Sequence, residues 1–224
     1  MTTEMTAEEA RRLSHQCLGQ PYNESAFRQF AANLLPNAER LQEGHSVGQY
    51  IPEAFRNYIV SYRRLAKTPD DGKGTLDVLA VKLKNSGQLL NARSMQRQFI
   101  ARYLNGSRNG SKDAALVAFH SDDFSDWRLS LVYKDRAFRD GKVEVKLSEP
   151  RRASFLVGPN ELSHTAESQF VDLLQAKDRD TISRIREAFG VEAVTKEFFN
   201  EYRQLFLALR DIIQAEIDKN PVLA

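Results

Sequence analysis

The sequence predicts an α+β or α/β fold, with one mixed β-sheet of about five strands flanked by helices. Three observations lead there. Short runs rich in β-branched residues, bounded by turn residues, cluster between positions 76 and 158. Apolar residues at helical spacing fill both ends of the chain and one central stretch, 91–104. No self-similarity at a fixed period marks a solenoid or propeller.

Residues 1–20 read as a loose amphipathic helix. In 24–35, Ala26, Phe27, Phe30, Ala31, Leu34 and Leu35 share one helical face, and Pro36 with Asn37 ends it. A loop is expected over 44–48 and a helix near 49–66, with Ile51, Phe55, Tyr58, Ile59, Tyr62 and Leu65 on one stripe. Thr68 to Gly72 is a turn by composition. The period then shortens. Leu76 to Lys84 reads as a strand, 91–104 as a helix, and Gly106 to Ser111 as a polar loop. Ala114 to His120, Trp127 to Tyr133, Lys142 to Leu147 and Arg152 to Gly158 are further strands, with Asp140-Gly141 as a hairpin turn. The unit at 76–120 would be a right-handed crossover if its strands are parallel. Helices follow from His164, around Phe170 and around Ile185, and the last spans about 195–217. Its residues Phe199, Tyr202, Phe206 and Leu209 lie on one stripe and are expected to be buried. The organisation expected is a helical segment over 1–70, a mixed core over 71–160, and a helical segment over 161–224 that leads toward a further domain.

Composition narrows the class. With 42% apolar, 28% charged and 9% aromatic residues, a collagen-like or largely disordered chain is excluded. No apolar run approaches the ~20 residues of a membrane span, so no membrane is expected. The start, MTTEMTAEEARR, has no apolar core of a secretory signal. A single cysteine, Cys17, allows neither an internal disulfide nor a Cys-rich zinc site, and the cytoplasm is the expected compartment. The net charge of +2 hides an asymmetry. Lys82 to Arg152 holds 15 basic and 8 acidic residues, while the rest of the chain is net acidic. A basic middle between acidic ends suits an anion-facing region.

Phosphate-binding GxxxxGK, GxGxxG, GxSxG and HExxH motifs are missing, and four scattered histidines have no ligand spacing. A Mg²⁺-dependent nuclease would need two or three carboxylates and a lysine. Pro69-Asp70 followed by Ala80-Val81-Lys82 gives the outline, but Ala80 stands where a second carboxylate belongs, and Asp77 could join Lys82 only across a bulge. In a regular strand the two point to opposite faces. Glu53 on the preceding helix could add a carboxylate, and Asp77 with Glu53 would then be the metal ligands. Asp135, Glu144 and Lys146 on the hairpin form the alternative set, although an exposed hairpin of alternating charge has the same pattern. For DNA, Arg93 and Arg97 share a helical face, and Lys112, Arg128, Arg151 and Arg152 extend the basic region.

Four segments in this order resemble the amino-terminal region of large bacterial Type IIG-like restriction–modification proteins: TLDVLAVKLKNSGQLLNARSMQRQFIARYL, KDAALVAFHSDDFSDWRLSLVYK, PRRASFLVGPNELSHTAESQF and AFGVEAVTKEFFNEYRQLF. The resemblance covers about 75 to 217. It implies a module that contacts double-stranded DNA and is followed by an S-adenosylmethionine-dependent adenine methyltransferase and a target-recognition region. The chain has neither the Asn/Asp-Pro-Pro-Tyr/Phe motif nor the glycine-containing cofactor loop of that methyltransferase. The reading is therefore a DNA-contacting module, with a Mg²⁺-dependent nuclease domain or a non-catalytic protein-interaction scaffold as alternatives.

Overall fold

The computed structural model describes residues 5–40, 51–70, 74–84, 91–106, 112–139, 142–148, 153–161, 164–175, 182–189 and 202–214. The chain divides into two units, Met1–Phe189 and Gly190–Ala224.

The first unit is an α+β fold around a mixed seven-stranded sheet. It begins with helices α1 (Ala7–Leu18) and α2 (Glu24–Leu34). Thr6 caps α1 reciprocally with Glu9, and Asn23 caps α2 by accepting from Ala26 N. Strands β1 (Glu39–Arg40), β2 (Ile59–Asp70) and β3 (Gly74–Leu83) form an antiparallel run, with one 3₁₀ turn at Glu53–Phe55 before β2. Helix α3 (Arg93–Asn105) then crosses to β4 (Lys112–Ser121), which lies parallel to β3 with Asp77 opposite Ala115 and Lys82 opposite His120. Strand β5 (Phe124–Arg139) is antiparallel to β4. Its first part pairs with β7 (Ser154–Val157) and its second part with β6 (Lys142–Leu147). Helices α4 (His164–Gln175) and α5 (Ile182–Ala188) complete the unit.

Alternation along the strands sends side chains to two cores. Leu76, Val78 and Ala80 of β3 join Ala114, Leu116 and Ala118 of β4 beneath α1, α2, α4 and α5. Leu79, Val81 and Leu83 join Ala115, Val117 and Phe119 beneath α3. A parallel pair covered on both faces is the arrangement that parallel strands favour.

The helix expected near 49–66 is absent, because 59–70 is strand β2. The cause lies in two bulges, between Ile59 and Ser61 and between Arg64 and Ala66. Each breaks the period of two. Ile59 and Tyr62 thereby reach the α3 side at a spacing of three that imitates a helix, while Leu65 packs on the opposite side of the sheet. The second unit contains a helix over 202–214. Tyr202, Phe206 and Leu209 are exposed there, against the expectation of burial. Phe199 lies outside the described residues. No helix among the described residues is long and apolar enough to cross a membrane.

Candidate functional site

Asp77 sits on the α3 side of β3 and is fully buried. Its Oδ1 accepts from Arg64 Nη2 at 2.7 Å and from Thr75 Oγ1 at 2.8 Å, and its Oδ2 accepts from the Tyr103 hydroxyl at 2.5 Å. Burial, then the Asp77 charge, push the Tyr103 phenol well above its usual range. Lys82 faces the opposite side of the sheet and pairs with Asp122 at 2.6 Å. No bulge unites Asp77 with Lys82. Glu53 is exposed on the 3₁₀ turn that leads into the Ile59 end of β2, whereas Asp77 pairs near the other end, opposite Lys67. Glu53, Asp77 and Lys82 therefore do not converge.

The hairpin set is closer in register. Asp135 lies opposite Lys146, and Ala137 opposite Glu144. Glu144 and Lys146 are both exposed, 3.7 Å apart. The two lie two residues apart on one face of β6, a charge pair within a single strand. Among the described residues no group of three His, Cys, Asp or Glu could hold a metal ion. Glu53, Asp77 and Lys82 form no Mg²⁺ site together.

Several described cations of the basic region are occupied within the fold. Lys112 donates to the Gly106 carbonyl at 2.9 Å and Lys134 to the Leu104 carbonyl at 3.0 Å. Both satisfy carbonyls at the end of α3, where cations suit the helix dipole. Lys112 is 3% exposed. Burial lowers its ammonium pKa, against the opposing charge of Asp77. Arg97 donates to the carbonyls of Ser148 and Leu147 at 2.6 and 3.0 Å, tying α3 to the end of β6. Arg128 is 1% exposed and donates to Ser154 Oγ and to Asn91 Oδ1 at 3.4 and 3.3 Å. Burial, with the like charge of Arg93, lowers its pKa to about 10. Lys112 and Arg128 are interior cations rather than a surface rail. Arg151 and Arg152 lie outside the described residues.

Arg93 stands differently. It opens α3, whose first turn has no acidic residue and whose N-cap, Ala92, makes no side-chain cap. A cation at that end opposes the helix dipole and faces Arg128. Such a local mismatch is the kind natural proteins retain where function requires it. Arg93 also lines an open groove of about 920 Å³ with Tyr58, Asn91, Ser94, Met95 and Gln98. Among the described residues no carboxylate lines it. Sequence reading reached Arg93 through its basic neighbours. Tyr58 was assigned to a helical core stripe, and only the turn before β2 brings it to the groove.

A second polar cluster lies at the ends of β3 and β4, where Lys82 neighbours His120. The His120 ring stacks on Tyr22 at 4.0 Å, and Glu24 bridges Arg63 at 3.2 Å. Burial, with the Lys82 charge, lowers the His120 pKa to about 4. The imidazole is therefore neutral at pH 7. Oppositely charged groups pair throughout this cluster, which gives it a structural character.

No family model, no curated protein and no solved structure matches this chain.

Proposed function

We propose that this chain is the DNA-contacting module of a restriction–modification protein, working beside a methyltransferase and a target-recognition region that it does not itself contain. The observation that carries the reading is the groove at the start of α3, whose described lining carries Arg93 and no carboxylate, with the buried Arg128 behind Asn91. A nucleic-acid phosphate brings to Arg93 the negative charge that the described lining of the groove lacks. S-adenosylmethionine chemistry would belong to the neighbouring methyltransferase. The dispersal of Asp77, Lys82 and Glu53 weighs against the nuclease alternative.

The test is a titration of labelled DNA at several salt concentrations. The parent chain should bind, with affinity falling linearly on logarithmic axes as salt rises. Arg93→Ala should lower that slope by about 1 while thermal unfolding stays unchanged. No binding at low salt would refute the reading.

A further inference from the structure

We propose that the groove at the start of α3 takes single-stranded DNA, with a base laid on Tyr58 and the adjoining phosphate at Arg93. The inference rests on the DNA-contacting reading and gives it a substrate class.

The groove has a mixed lining. Ala54, Phe55, Tyr58 and Met95 line it with apolar groups, and Asn91, Arg93, Ser94 and Gln98 line it with polar ones. Tyr58 is 40% exposed although aromatic. Its backbone is held firmly, since its N–H donates to the Phe55 carbonyl and its own carbonyl accepts from Lys84 N–H, both at 2.9 Å. A half-exposed ring on an anchored backbone can serve as a stacking platform, and every base offers it a face.

The charge balance favours a single strand over a duplex. Gripping a duplex backbone takes many phosphate contacts. Among the described residues, the lining of this groove holds one cation, Arg93, and Arg97, one helical turn further along α3, is held on carbonyls. One phosphate contact beside an aromatic platform is the balance used for unpaired nucleotides. Asn91 supplies a polar edge. Its carbonyl oxygen is taken by Arg128, which leaves its amide nitrogen to donate to an acceptor on a base.

The experiment compares a labelled oligothymidine strand with a duplex of the same length, at equal salt, by fluorescence anisotropy. The full chain, Tyr58→Ala, Tyr58→Phe and Arg93→Ala are each titrated, with thermal unfolding as the control for folding. The single strand should bind at least about tenfold more tightly than the duplex. Tyr58→Ala should weaken it by about 5- to 100-fold with the salt slope unchanged, and Tyr58→Phe should retain binding. Arg93→Ala should lower the slope by about 0.7. Equal binding of both forms, indifferent to Tyr58→Ala, would overturn this inference and leave the DNA-contacting reading standing. Binding of neither form would overturn both.

Discussion

Arg64 and Asp77 form an ion pair of 2.7 Å across the β2–β3 ladder, and the carboxylate is closed off from solvent. A buried pair of this kind is costly to break, because the surviving charge is stranded. Asp77→Ala should therefore destabilise the protein by about 3–5 kcal/mol in chemical denaturation. A metal-binding carboxylate would behave otherwise. Its removal would leave stability nearly unchanged and abolish a Mg²⁺-dependent rise in Tm. That second pattern would return Asp77 to the nuclease reading.

The cations at the two ends of α3 should separate by role. Arg97→Ala and Lys112→Ala each strand carbonyls that they now satisfy, and each should cost about 1–3 kcal/mol. Arg93→Ala should stay within about 0.5 kcal/mol of the parent. Urea unfolding of the three single variants measures this. Equal, negligible effects would show all three to be surface charges.

Much of this was legible in the sequence, and what was not has identifiable causes. The β3–α3–β4 unit was readable because Leu76, Val78 and Ala80 alternate regularly with Asp77, Leu79 and Val81. Strand β2 was hidden by its two bulges, which leave no regular alternation to see. The basic middle was countable, but where each charge goes was not. Lys112 and Lys134 meet α3 carbonyls only through the crossover and the β4–β5 pairing. The exposure of Phe206, at 56%, was likewise invisible, since an apolar stripe predicts a helix face and not its cover.

His120 gives the chain a pH dependence with a definite sign. Its pKa is lowered on folding from the ordinary 6.5 to about 4. The neutral ring thus contributes stability that is fully present above pH 6.5 and is lost as pH falls from there to 4. Between pH 7.5 and pH 5 the loss from this residue should be about 2 kcal/mol. His120→Phe keeps a ring against Tyr22 and should flatten that part of the profile. An unchanged profile in the variant would place the titrating group elsewhere.

Gly158 has φ 136°, a region that L side chains rarely adopt. A Cβ there would also come within 2.6 Å of the Asp126 Cα. Asp126 is buried and accepts from Asn160 N at 3.0 Å. Gly158→Ala should cost about 1–3 kcal/mol by thermal unfolding. A neutral result would show that this turn relaxes freely.

The central claim is the location of the DNA contact, and hydrogen exchange on the full chain with and without bound DNA tests it most directly. Slowed exchange should concentrate at 54–58 and 91–98, which line the groove around Arg93, and Arg93→Ala should diminish it. Protection confined to the β5–β6 hairpin or to the helix over 202–214, with the groove unaffected, would contradict the assignment.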